Sequence, residues 1–576
     1  VKRFGWIWPI WLAVLAPGLA GAQAIERNLP QTPIAPPAVI NGPPPVAAGG
    51  DDRPLGVTLR QIVVLGPGEA ALPGAPPEAG SSSMVLDQAP RLEHTRGLRR
   101  FLGEPLSMRR ISQIEAEIVR EYRRAGRPFV DVSTPPQDLS GGRLQIRVIE
   151  YRLGKIAVTG TSDADAVHIR RAVRAAPGQP IDAADLAQDL DWLNRYPFRA
   201  LEATFTPGAA TGETDLHLTA KDSRPFSVYA GYANSGSPDT GEDRYFVGAS
   251  LALPWLRDAT ASYQLTGSPD FWDNRGRLLS DPHPAYLSQG GRVLIPTAPR
   301  QDVELTLSAV ETNQPSQAFV IRSVILEASL GYRLAASDLW AALPGDVNGG
   351  VDLKREHRDT LFGGVSAASG AASAYQAYLG WTGTWTDALG RGSLDASVHV
   401  SPGGLSSGDT DAAYLAFTQG RVRRAEYAYV NADLNRAASL PLGLGLTSDL
   451  AGQWAGQPLP DTERAPLGGV QAVRGYTLDD GAYDDAITLR NELRLAGGAL
   501  FQSGALTLER PYLLADFGGA RDEAKHRDRA LAGVGVGAAA RIGPSALTVT
   551  ISDPLASGPA THAGAWRADV RLAIAY

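Results

Sequence analysis

The chain has 576 residues, a length that predicts several domains. It contains no cysteine, which excludes a disulfide framework, a thiolate metal site and cysteine catalysis. Its formal net charge is −7 with no large basic block. That argues against nucleic acid as a partner, because affinity there comes from neutralising phosphates.

In chain order, Lys2 and Arg3 precede an apolar run that ends in small residues around Ala22 and Ala24. Residues 1–24 read as a secretory signal peptide. Pro9 and Pro17 interrupt the run, leaving it short of the roughly 20 residues that span a bilayer. Residues 25–54 form a Pro-rich linker. Two similar units follow, at residues 55–150 and 151–222. Each reads strand, helix, helix, strand, strand. In the first, the strand "VTLRQIVVLG" precedes a low-complexity insert at residues 66–83, taken as a surface loop. Helices are expected over about 91–102 and 108–126, then the strands "RPFVDVST" and "GRLQIRVIE". In the second, Leu186, Leu190 and Leu193 fall at helical spacing behind Asp182, a natural N-cap.

From residue 223 to 576 helical periodicity fades and period-two alternation takes over. Val303, Leu305 and Leu307 alternate with Asp302, Glu304 and Thr306. In the last segment Trp566, Ala568, Val570, Leu572, Ile574 and Tyr576 share one face, and Arg567, Asp569 and Arg571 the other. Many segments reach about 9–11 residues, the length that crosses a bilayer at a tilt, and about sixteen can be counted. Backbone groups in lipid must be satisfied internally, so strands that span it must close. The fold class expected is two α+β domains followed by an all-β transmembrane barrel of about 16 antiparallel strands.

Inside a long loop at about residues 460–485 stands "VRGY", Val473-Arg474-Gly475-Tyr476. "RNEL" (Arg490 to Leu493) and "LLADFGG" (Leu513 to Gly519) follow it. With "LNRYPFRALEATF" ahead of the first barrel strand, this order resembles the TpsB family of two-partner secretion transporters. The resemblance implies two POTRA domains in the periplasm and a barrel in the outer membrane of a Gram-negative bacterium. It implies a loop folded back into the lumen, with Arg474 against an inward carboxylate. In "PYLLADFGG", outward Leu513, Ala515 and Phe517 turn Asp516 inward, making it the expected partner. Gly475 would allow a tight turn and Tyr476 would pack the loop tip. Tyr576 would be the carboxyl-terminal signal read by the barrel assembly machinery.

The implied function is export of a secreted TpsA-type exoprotein, bound through its N-terminal secretion domain, by a monomer sitting in outer-membrane lipid. The alternatives are an assembly factor for barrel proteins and a passive porin. The family often carries an N-terminal plug helix, for which only about residues 23–29 are available here. No catalytic, metal-binding or cofactor residues are expected. Gly533, Gly535 and Ala538 fit a dinucleotide pattern but lack a following helix, so they read as small residues in a strand. Asp479, Asp480, Asp484 and Asp485 lack EF-hand spacing and read as a solvated acidic loop.

Overall fold

A computed structural model of the chain describes residues 26–30, 49–67, 84–87, 96–273, 283–316, 319–495 and 497–576. The expected signal peptide and most of the linker and insert lie outside them. The chain divides into residues 33–223 and residues 224–576, the latter joined by the amino-terminal segment through residue 32.

The first small unit holds β1 (Gln61–Leu65), β2 (Met84–Asp87), α1 (Arg96–Arg99), α2 (Met108–Arg124), β3 (Val130–Ser133) and β4 (Arg143–Glu150). Ser107 caps α2, its side chain accepting from the Arg110 N–H. Ile111, Ile114, Ile118 and Tyr122, at helical spacing, pack on Ile62, Val64, Leu144 and Ile146. The helix stops where Gly126 takes a positive φ of 76°. The sheet order is β2-β1-β4-β3. β2 was not foreseen. It follows the insert and lies parallel to β1, with Met84 opposite Gln61, so it covers an edge that would otherwise be open. Of the helix expected over about 91–102, the described residues contain only the short α1.

The second unit holds β5 (Arg152–Thr159), α3 (Asp163–Ala172), α4 (Ala183–Leu193), β6 (Arg199–Pro207) and β7 (Glu213–Asp222), with sheet order β5-β7-β6. The Asp182 carboxylate accepts from the Ala184 and Asp185 N–H groups, and Leu186, Leu190 and Leu193 enter the core. Phe129 of the first unit joins this core, its ring 4.2 Å from that of Phe205.

The barrel begins with β8 (Phe226–Ala233), β9 (Arg244–Ala252), β10 (Thr260–Gly267), α5 (Pro269–Asp273), β11 (Tyr286–Ala298), β12 (Gln301–Ser316) and β13 (Phe319–Ala335). It continues with β14 (Asp346–Phe362), β15 (Val365–Thr386), β16 (Gly390–Ser401), α6 (Asp411–Phe417), β17 (Tyr427–Leu440) and β18 (Leu444–Trp454). Two-residue strands β19 (Ala465–Pro466) and β20 (Ala482–Tyr483) pair within the next loop. Then come β21 (Asp485–Leu495), a small hairpin of β22 (Phe501–Ser503) and β23 (Leu506–Leu508), β24 (Tyr512–Asp522), β25 (Arg527–Ile542), β26 (Ser545–Pro554) and β27 (Arg567–Ala575). β27 pairs with β8, so the sheet closes and leaves no edge. The small hairpin aside, sixteen antiparallel strands form the wall.

Alternation decides which face each residue takes. Asp302 and Thr306 point inward and are buried, while Leu305 and Leu307 stay exposed on the outer face. On β27, Leu572 and Ile574 face out, and Arg567 pairs with Asp569 at 2.7 Å on the inner side. The strands run from 8 to 22 residues, a wider range than the expected 9–11. The excess arises where hairpins keep their ladder up to the turn, as β14 and β15 do around Gly363 and Gly364. Among the described residues no helix is long and apolar enough to cross a membrane.

Candidate functional site: the loop in the barrel lumen

The loop from residue 455 to 484 joins β18 to β21, the eleventh and twelfth strands of the wall. It folds into the lumen rather than standing in solvent. Its two arms are held together by the β19–β20 pair and by a bridge between Gly468 and Val473. Leu467, Val473 and Tyr476 are buried.

Arg474 lies just past that bridge, with its side chain 4% exposed. Its Nε donates to Asp516 Oδ2 at 2.7 Å and its Nη2 to Asp516 Oδ1 at 2.9 Å. This is the two-bond fork that a planar guanidinium offers a carboxylate. The backbone N–H of Arg474 adds a third bond to Asp516 Oδ2 at 3.2 Å. Asp516 is fully buried on the inner face of β24, while Leu513 and Phe517 are exposed on the outer face. The third nitrogen, Nη1, donates to Glu492 Oε1 at 2.7 Å. Glu492 belongs to "RNEL" on β21 but was not foreseen as a partner. The parity argument could have found it: Arg490 faces Asp516 across the ladder, and Glu492, two residues on, shares its side of the strand.

Gly475 has a φ of 94°, which a side chain would strain. The Tyr476 hydroxyl donates to the Ala556 carbonyl at 2.7 Å and accepts from the Ala556 N–H at 3.2 Å. The wall makes room for the tip with glycine. A Cβ at Gly533 would stand 2.2 Å from the Arg474 carbonyl, and one at Gly518 2.7 Å from Val473. Gly533 thus lies in β25, and its small size gives the loop clearance.

Of the four acidic residues expected to be solvated, Asp479 and Asp485 are half-buried and the other two are enclosed. Asp480 and Asp484 are fully buried. Asp480 accepts from the Ala560 and Thr561 N–H groups and from the Thr561 hydroxyl at 3.0, 2.9 and 2.6 Å. Asp484 accepts from the Leu459 and Glu523 N–H groups at 2.8 Å each and pairs with Arg421. Asp485 accepts from the Ala455 N–H at 2.6 Å. In a closed lumen these carboxylates satisfy backbone donors that water cannot reach. The entry arm is also tied to the wall: Glu463 pairs with Lys354 at 2.8 Å and accepts from the Tyr429 hydroxyl at 2.7 Å.

Residues 26–30 also lie in the lumen, without helical structure. Glu26 pairs with Arg244 at 2.9 Å and Arg27 pairs with Glu327. The Asn28 side chain donates to the Tyr286 hydroxyl at 2.8 Å. Far from the loop, Tyr576 is exposed at the closing seam. It exchanges backbone hydrogen bonds with Val228 at 2.8 and 3.0 Å, and the Arg224 guanidinium sits 4.5 Å from its ring. Among the described residues no cluster of three or more His, Cys, Asp or Glu could hold a metal ion.

Residues 350–540 match the family described as haemolysin secretion/activation protein ShlB/FhaC/HecB. Residues 84–150 match the POTRA domain, ShlB-type. Both matched segments resemble transporters of the TpsB type. The chain's place is the outer membrane, with POTRA in the periplasm. Among curated TpsB-like relatives, the outer membrane transporter CdiB of Dickeya dadantii (strain 3937) is 29% identical over 171 residues, covering 30% of this chain and 29% of that protein. CdiB of Escherichia coli O6:K15:H31 (strain 536 / UPEC) is 27% identical over 259 residues, covering 45% and 37%. The heme/hemopexin transporter protein HuxB of Haemophilus influenzae (strain ATCC 51907 / DSM 11121 / KW20 / Rd) is 22% identical over 161 residues, covering 27% and 28%. The matched segment therefore spans under a third of the first of these relatives. Two solved structures match over nearly the whole chain. CdiB from Escherichia coli has a TM-score of 0.65 at 18% identity, covering 94% of each chain. CdiB from Acinetobacter baumannii has 0.58 at 16%, covering 95% of each. At such identities these two establish the fold alone.

Proposed function

We propose that this protein is an outer-membrane translocator. It receives a large β-helical exoprotein in the periplasm, through that protein's N-terminal secretion domain, and exports it through the barrel. The observation that carries this reading is the loop in the lumen. Arg474 fixes it to β24 and β21 through Asp516 and Glu492. Arg474, Gly475 and Tyr476 anchor the loop, and Val473 packs it on the wall. The two α/β units are the receptor, offering strand edges to an extended segment. The periplasmic side of the outer membrane has no nucleotide supply, so motion would be biased by folding of the emerged polypeptide outside.

The test is co-expression with candidate TpsA-type exoproteins, followed by measurement of each outside the cell. The wild-type chain should export one of them, and a chain lacking residues 460–485 should insert but not export. Export at normal levels by that deletion would end this reading.

A further inference from the structure

The tip of the lumenal loop touches both loops that flank the barrel's closing seam. The seam between β27 and β8 has a register of only five pairs, from Arg571 opposite Ala233 to Ala575 opposite Tyr229. The pairs on either side, β8–β9 and β26–β27, have eight each. Beyond Ala233 the ladder continues with one backbone bond, from the Asn234 N–H to the Val570 carbonyl at 3.2 Å, and then by side chains. The Asn234 carboxamide donates to the Ala568 carbonyl and accepts from the Val570 N–H, both at 2.6 Å, standing in for a backbone amide. Arg567 then reaches Glu242 at 2.8 Å and the Asn234 carbonyl at 2.7 Å. Above this stretch sits the loop tip. Asp480 holds the β26–β27 loop through Ala560 and Thr561, and Asp479 accepts from the Asp239 N–H in the β8–β9 loop at 3.2 Å. Between tip and seam lies a cavity of about 340 Å³ lined by Gly475, Thr477, Thr561, Trp566, Arg567 and Asn234.

The two anchors of the loop differ in kind. Arg474 is held by charged partners on two rigid strands. Asp480 is held from outside its own loop by neutral donors on another loop, and among the described residues it has no Lys or Arg in a salt bridge. Both sets of bonds are charge-assisted on the carboxylate side, but the guanidinium fork adds an opposite charge and a fixed two-bond geometry. We infer that Asp480 is a positioning residue that acts as the releasable latch of the lumenal loop, stapling the far end of the β27–β8 seam, while Arg474 is the fixed anchor. Release of Asp480 frees the Ala560–Thr561 part of the β26–β27 loop, whose first residues stay on Tyr476 through Ala556, and widens the outer mouth without unseating the lumenal loop from β24. This rests on the translocator reading, which it extends to the residue that opens.

The chain has no cysteine, so the pair Asp480→Cys with Thr561→Cys creates one defined crosslink. The full-length purified protein would be studied in planar lipid bilayers, which need no exported partner. With the disulfide formed, openings should fall at least tenfold below wild type. On reduction they should rise above wild type, because the carboxylate is gone. Thr561→Val, which removes one donor, should give an intermediate increase and serves as the milder variant if the cysteine pair folds poorly. Equal opening in the oxidised and reduced states, or an unchanged Thr561→Val channel, would overturn the latch. Export of the exoprotein is measured in parallel. Normal export by the oxidised pair with the channel shut would overturn the translocator reading and leave the latch standing.

Discussion

Arg474 answers three demands at once: two bonds to Asp516, one to Glu492, and a backbone N–H that also reaches Asp516. Removing one member of such a buried pair costs about 3–5 kcal/mol, because the other charge is left unpaired. Each 1.4 kcal/mol is about tenfold, so Arg474→Ala should shift the docked fraction of the loop by roughly a hundredfold or more. The closed ladder of the wall does not depend on this contact. The expected result is a barrel present at normal levels, scored by heat-modifiable migration, with export greatly reduced. Arg474→Lys should restore only part, since a single ammonium cannot make the fork. In a double-mutant cycle on export, Arg474→Ala with Asp516→Ala should be hardly worse than either alone. Additive losses would show that they do not act as one unit. Glu492→Gln should cost less, because its side chain is 20% exposed and water can stand in for the lost charge.

Two strands carry predictions of their own. On β25, a side chain at Gly533 meets the Arg474 carbonyl, a backbone atom that cannot swing aside. Gly533→Ala should therefore lower export several-fold while leaving the amount of barrel unchanged. A fully exporting Gly533→Ala would show that the loop tolerates displacement there. At the seam, Tyr576 supplies the last backbone pair to Val228 and the terminal aromatic. Deleting Tyr576 removes both from the shortest register in the wall, and the folded barrel recovered from outer membranes should fall. Undiminished recovery would remove Tyr576 from the role assigned to it.

For the whole molecule, the two α/β units form a compact body separate from the barrel. Each has its own hydrophobic core, and Phe129 links one to the other. The barrel closes on itself without them. A chain lacking residues 55–222 should therefore still yield a heat-modifiable barrel and should export nothing. Secretion at normal levels by that deletion would mean that the receptor lies elsewhere.

Some of this was decided by sequence alone. Side-chain parity in an extended chain is fixed at two residues, so Asp302 and Thr306 share one face, and Arg567 shares a face with Asp569 and Arg571, before any strand is paired. Helical spacing and the cap at Asp182 located α4 for the same local reason. The order of "VRGY", "RNEL" and "LLADFGG" carries the resemblance to TpsB transporters, and parity of Leu513 and Phe517 singles out Asp516. What local pattern could not supply was closure. Whether Asp480 and Asp484 meet water or buried N–H groups depends on where a loop of some thirty residues rests, and that is fixed by walls distant in sequence. The same holds for Glu492 on Arg474, Gly533 under the loop, Glu26 on Arg244, and β2 on the edge of β1. Each joins segments whose separation in the chain carries no periodicity, so only the tertiary structure brings them together.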